Sequence, residues 1–219
     1  MRTNSPKTLL RDRNKKWEYD GVLLPDVSQA EVFDISEFFA DPAVPLEIEI
    51  GVGKGTFLVA RAAYRPEVNF LGIEYAAPYA KYAADRIRRA GLTNAKMLHA
   101  DAERFFKKLL PDNSVFRVHL YFPDPWPKRR HHRRRILQPE FLQHVRRVLK
   151  PGGQFLIVTD HREYFEHMLK VITDAEGFAR TDFPKLLDSD VHIVGTNFEK
   201  KYVEQGRNFY KAALLKYVR

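Results

Sequence analysis

From residue 46 onward the chain alternates short apolar segments with stretches of helical periodicity, and this alternation restricts the fold more than any single residue does. LEIEI (46–50), NFLGI (69–73), AKMLH (95–99), VFRVHLYF (115–122) and GQFLIVTD (153–160) read as strands. Helical patterns follow at 54–64, 78–90, 102–110, 136–149 and 164–176, and 208–218 reads as a late strand. Strands separated by helices of roughly 10–15 residues form βαβ units, and hence a doubly wound, mostly parallel α/β sheet. Such sheets bind ligands beyond the carboxyl ends of their strands, near the point where the strand order reverses. The residues just after each strand are therefore the ones to read for chemistry. The first 25 residues are polar and end in Gly21 and Pro25, which predicts a flexible basic arm, 1–25, ahead of a single domain, 26–219.

The charge is distributed unevenly. The 219 residues carry 37 Lys and Arg against 28 Asp and Glu, a net of +9. Residues 1–16 contribute +5 and the run KRRHHRRR (128–135) contributes +6, so the rest of the chain is close to neutral. A run of like charge repels itself, and a polyanion relieves that repulsion, so nucleic acid is the expected partner. There is no cysteine. That excludes a disulfide, a thiolate metal site, an iron–sulfur cluster and a cysteine nucleophile, and no metal is expected. No apolar run approaches membrane-spanning length, and the first residues lack the apolar core of a signal peptide, so a cytoplasmic protein without membrane association is expected.

Three strand ends carry candidate binding residues. The first strand runs into Glu49, then Gly51, Gly53 and Gly55 before a helix begins, a loop in which glycine permits a tight turn and close approach to a ligand. The spacing differs from the dinucleotide fingerprint G-x-G-x-x-G, because Thr56 holds the place of the third glycine. Glu74 follows the second strand, where a carboxylate suits the two adjacent hydroxyls of a ribose. Asp101 follows the third, placed either to accept from an exocyclic amine or to cap a helix.

After the fourth strand comes FPDPWPKRRHHRRR (122–135). Asp124 lies between two prolines on a stiff backbone, Trp126 offers a stacking face, and the basic run follows at once. Glycine loop, strand-end acids and this motif together resemble the bacterial tRNA (guanine-N7)-methyltransferase family, within the class I S-adenosylmethionine-dependent methyltransferases. The likeness continues through Thr159-Asp160 and TNFEKKY (196–202) to Gly206 and the closing strand, covering about residues 46–219. It implies a Rossmann-like seven-stranded sheet with helices on both faces. It also implies methyl transfer from S-adenosylmethionine to N7 of a guanosine in the tRNA variable loop, nucleotide 46, by a monomer or homodimer. Carried over by position, Glu49, Gly51, Gly53, Gly55, Glu74, Asp101 and Asp124 bind the cofactor, and Asp124 is also the active-site residue. Lys128, Asp160, Thr196, Asn197, Phe198 and Glu199 bind the substrate. Asp160 can equally cap a helix, and Thr196 and Glu199 have the spacing of a capping box.

The chemistry agrees with the residues. Guanine N7 has a free lone pair and loses no proton on methylation, so no strong base is required. Alignment and stabilisation of the positive charge growing on the base are the main tasks, and Asp124 is the expected carboxylate, orienting the base through its N1 or N2 hydrogens. His131 and His132, inside a basic run, suit polar contact with RNA or plain exposure rather than acid–base catalysis. Lys128 and Arg129 to Arg135 are expected on phosphates. A methyltransferase acting on an exocyclic amine and a non-enzymatic RNA-binding module are the competing readings. The first would place a second proline directly after the acid–proline pair, and the second gives the strand-end acids no purpose.

Overall fold

The computed structural model describes residues 17–186 and 193–217. Seven strands form one sheet: β1 (Leu46–Ile50), β2 (Asn69–Glu74), β3 (Ala95–His99), β4 (Val115–Tyr121), β5 (Leu149–Thr159), β6 (Phe178–Thr181) and β7 (Tyr210–Lys216). Their order across the sheet is β3-β2-β1-β4-β5-β7-β6. All neighbours are parallel except β7, which runs antiparallel to both β5 and β6, so the sheet is mixed. The order reverses between β1 and β4, where β1 pairs on one side with β2 and on the other with β4.

Six helices connect the strands: α1 (Thr56–Tyr64), α2 (Ala77–Arg89), α3 (Ala102–Lys108), α4 (Pro139–Val148), α5 (Arg162–Thr173) and α6 (Asn197–Glu204). Each amphipathic helix buries one stripe on the sheet. On one face Leu58 and Ala62 of α1 and Ala80, Ala83, Ala84 and Ile87 of α2 pack with Phe70 and Met97. On the other, Phe105 and Phe106 of α3, Phe141 and Val145 of α4 and Tyr164 and Met168 of α5 cover Ile48, Ile50, Leu71 and Leu120. The helix–helix approach explains one glycine. A methyl group at Gly55 would sit 3.0 Å from the Cβ of Ala83, and φ there is +71°.

Residues 17–25, expected as the end of the arm, are packed against the domain. Leu23 bridges Met97 in parallel, and the Met97 amide donates to Val22 O while the Leu24 amide donates to Met97 O. Val22 and Leu24 are buried, Trp17 sets its edge on Tyr82 at 5.1 Å, and Glu18 pairs with Arg88 at 3.0 Å. Three consecutive apolar residues after Gly21 suffice to extend the sheet edge. Residues 1–16 of the expected arm lie outside the described residues. Among the described residues no helix is long and apolar enough to cross a membrane.

Candidate active site at the carboxyl edge of the sheet

Glu49 is the last acid of β1 and points to the same face as Glu47, since strand side chains alternate. It is buried, and its Oε2 has no hydrogen-bond partner. Burial and the nearby negative charge of Glu74 push its carboxyl well above the usual range, with the Leu58 backbone N–H opposing. A buried carboxyl with one unpartnered oxygen and no cation beside it among the described residues is a candidate contact for a cationic group. Gly51, Gly53 and Gly55 follow at φ +75°, +54° and +71°, values that side-chain-bearing residues rarely adopt. At Gly51 and Gly53 an added Cβ would meet nothing within 4 Å, so the loop borders open space and its glycines answer to backbone conformation.

Glu74 closes that loop. Its Oε2 accepts from Gly53 N at 2.8 Å and its Oε1 from Ala76 N at 2.9 Å. Each oxygen keeps a second lone pair, so the carboxylate can hold the loop and still accept from ligand hydroxyls. Asp101 is the N-cap of α3, accepting from Arg104 N at 3.0 Å, and it is exposed. Its capping alternative is realised, and an exposed cap leaves room for a second contact.

Asp124 is exposed on the loop after β4. The loop is held in an unusual shape: Phe122 and Trp126, two residues before and two after, have φ of +49° and +44°. For bulky residues these are genuine outliers, and such strain persists only where surroundings enforce it. The enforcing contacts are visible. The Phe122 amide donates to Val158 O at 2.7 Å, and the Arg135 Nε donates to Pro125 O at 2.9 Å. Arg135 is fully buried, grips Glu163 with both Nη atoms at 3.1 and 2.6 Å, and lies over the Tyr164 ring at 4.8 Å. This corrects the sequence expectation, because Arg135 braces the loop and is not available to phosphate. Trp126 is half-buried: Arg134 lies over its ring at 4.9 Å and His131 meets it edge-on at 5.9 Å. Lys128, Arg129, Arg130, Arg133 and Arg134 remain exposed, and 129–134 form a short 3-10 helix.

The predicted substrate residues divide by role. Asp160 directly follows β5 and does not cap α5; His161 does, its Nδ1 accepting from Tyr164 N at 3.2 Å. Asp160 instead accepts from Arg207 Nη1 at 2.7 Å. Thr196 caps α6, accepting from Glu199 N at 3.0 Å. Glu199 is buried, and its carboxylate collects the backbone N–H groups of Ile193, Val194 (2.9 Å) and Gly195 (2.6 Å). Those three bonds turn it inward to build the loop before α6, so a direct part in substrate binding is not supported. Asn197 and Phe198 face outward. Phe198 lies 6.3 Å from Phe122, which also meets Tyr202 at 6.0 Å and Phe209 at 5.7 Å. This aromatic cluster joins α6 to the Asp124 loop.

The sequence reading missed Tyr202, Arg207 and a buried charged network beneath Glu49. Glu47 accepts from Arg117 Nη1 at 2.9 Å, from His119 Nε2 at 2.9 Å and from Arg61 Nε at 3.5 Å. His119 Nδ1 meets Tyr121 Oη at 2.6 Å. Burial keeps His119 neutral against the pull of Glu47, so its Nε2–H donates to Glu47 and its Nδ1 accepts from Tyr121. Alternating charges in β1 and β4 were the available signal: a central strand covered on both faces must pair them.

The strand order and strand-end acids define a class I methyltransferase fold. A solved structure described as a SAM dependent methyltransferase from Aquifex aeolicus shares it, at 18% identity, a TM-score of 0.54, and coverage of 87% of this chain and 94% of that one. The chain belongs to the methyltransferase family described as "Putative methyltransferase", which matches residues 43–212. Among curated relatives, a tRNA (guanine-N(7)-)-methyltransferase of Shewanella amazonensis is 43% identical over 155 residues, 70% of this chain and 65% of that protein. One of Vibrio cholerae is 44% identical over 152 residues, 69% of this chain and 63% of that protein. The matched part thus spans slightly less than two thirds of these relatives' length.

Proposed function

We propose that the chain methylates N7 of a guanosine in the tRNA variable loop, nucleotide 46, giving 7-methylguanosine. The relatives named above support the reaction class. The observation that carries it is the pairing, on neighbouring strand ends, of a buried carboxyl with one unpartnered oxygen (Glu49) with an exposed carboxylate on a strained loop (Asp124), beside an exposed basic helix.

The residues fit S-adenosylmethionine. Its ammonium and sulfonium charges suit the acidic edge, with Glu49 holding the amino acid end, Gly51 to Gly55 bordering it, Glu74 the ribose and Asp101 the adenine. When bound, that cofactor supplies an electrophilic methyl group. The chain supplies position and charge. N7 attacks through its own lone pair, so no residue removes a proton during the step. Positive charge develops on the guanine ring, and the Asp124 carboxylate beside it stabilises that charge. Lys128 and the exposed arginines of 129–134 hold the RNA backbone next to the cofactor edge.

Incubation with unmodified tRNA and methyl-labelled S-adenosylmethionine, followed by mapping of the labelled nucleotide, tests the assignment. Label on any atom other than guanine N7 refutes it. Asp124→Asn should retain cofactor binding and lose about 100-fold or more in turnover. Near wild-type turnover would remove Asp124 from the reaction.

A further inference from the structure

Arg207 lies three residues beyond the end of α6, and its position is fixed by the backbone. Gly206 adopts φ +65°, the Gly206 amide donates to Val203 O at 3.0 Å, and the Arg207 amide donates to Tyr202 O at 3.0 Å. These are the two bonds of a Schellman motif, which reverses the chain at a helix end. The reversal lays the Arg207 guanidinium over the Tyr202 ring at 4.3 Å and sets it on Asp160 at 2.7 Å. Asp160 is only 16% exposed, whereas Arg207 is 49% exposed. The pair therefore presents a partly sunken anion beside an outward cation.

The pair stands in the same edge as Asp124. Tyr202 packs on Phe122, two residues before Asp124, and β4 and β5 are neighbours in register, with Tyr121 opposite Val158. A fixed order of acceptor and donor is a recognition surface. Among the four RNA bases, only guanine offers an acceptor (O6) followed by two donors (N1–H and the 2-amino group) along its Watson–Crick edge. That edge is separate from N7, so reading it leaves N7 free to react.

Given the reaction proposed above, we infer that Asp160 and Arg207 together read the Watson–Crick edge of the target guanine, Asp160 accepting from N1–H and the 2-amino group and Arg207 donating to O6. Asp124 is then left to stabilise charge and need not orient the base. Tyr202 is a positioning residue, holding the guanidinium plane through its ring. A site built around polar partners discriminates strongly, because the wrong base leaves those partners unpaired.

The test uses the whole chain and tRNA transcripts carrying guanosine, inosine (no 2-amino group) or 2-aminopurine (no O6, and an N1 that has lost its hydrogen and so also tests the Asp160 contact) at the target nucleotide. Wild type should favour guanosine over both analogues in kcat/KM. Arg207→Ala should shrink the preference for guanosine over 2-aminopurine by about 10-fold while leaving the inosine penalty unchanged. Arg207→Lys should restore part of that preference. Asp160→Asn should shrink the inosine penalty. Comparing ratios cancels the intrinsic reactivity of each base and any loss of folded protein. If Arg207→Ala lowers all three substrates by one factor, Arg207 is a structural or phosphate contact and the inference is overturned while the N7 reaction stands. If wild type leaves guanine N7 unmethylated, the functional reading falls and this inference falls with it.

Discussion

Glu47 and Glu49 are two residues apart on β1, point to the same face and are both buried, yet their carboxyls are driven in opposite directions. Burial alone would raise both. At Glu47 it is outweighed by the hydrogen bond from His119 and the charges of Arg117 and Arg61, which bring the carboxyl down to about 2. At Glu49 no cation of the described residues opposes burial, and Glu74 adds to it. One carboxylate has its cations built into the fold, and the other has none among the described residues, as the proposed contact with a cationic ligand requires. Inside a well-packed sheet, an unmatched carboxyl next to a fully matched one is a candidate binding residue beside a structural one.

The sharpest way to break this contrast is to neutralise each member. Glu47→Gln leaves Arg61 and Arg117 facing a neutral group in the interior and should cost roughly 3–5 kcal/mol in denaturant unfolding. The acid limb of the stability curve carries the same information. A lowered carboxyl contributes stability above its unfolded value of 4.5, and this is lost as pH falls through about 2. That loss amounts to about 3 kcal/mol, and it should vanish in the variant. A Glu47→Gln protein as stable as wild type would show that the network is not a structural ion cluster.

Glu49 should behave in the reverse sense. Its raised carboxyl makes the empty protein lose stability as pH rises from the ordinary carboxylate range towards its folded value. A cationic ligand favours the ionised form, so S-adenosylmethionine should bind more tightly as pH rises through that range, releasing a proton. Calorimetry in buffers of different ionisation heat reads that proton directly. Glu49→Gln should change stability by less than about 1 kcal/mol at acid pH, where the carboxyl is protonated folded and unfolded, should stabilise the empty protein at neutral pH, and should weaken binding by about 10-fold or more. Binding that is independent of pH and unchanged in the variant would remove Glu49 from the cofactor site. The smallest effect is expected at the link between the two. Tyr121→Phe removes one hydrogen bond to His119 and should cost about 1 kcal/mol in unfolding, with cofactor affinity unchanged.

Much of the fold was legible because β1 to β5 and their helices carry clear periodicity and glycine breaks. Strand β6 was not: it is four residues, at the sheet edge and largely exposed, so no apolar pattern marks it. The start of β5 was hidden by Lys150-Pro151-Gly152-Gly153, which reads as a turn but lies within the strand from Leu149. At the site, strand-end acids could be named because topology alone places them. Partners that depend on side-chain direction could not. Arg207 meets Asp160 across 47 positions, and nothing in the order of residues states that a helix end folds one over the other. The basic run shows the same limit, since six cations in one loop look alike until Arg135 turns inward.

That inward turn has a consequence for ionic strength. Dissolved salt screens exposed charges beyond roughly 8 Å at physiological concentration and reaches buried contacts much less. Under the proposed function the outer arginines would lose their hold on RNA as salt rises, while Arg135, with a backbone carbonyl, a carboxylate and an aromatic ring around it, would keep the Asp124 loop in shape. On that reading, high salt would release the RNA and leave the loop around Asp124 assembled, ready to bind again when the salt is diluted.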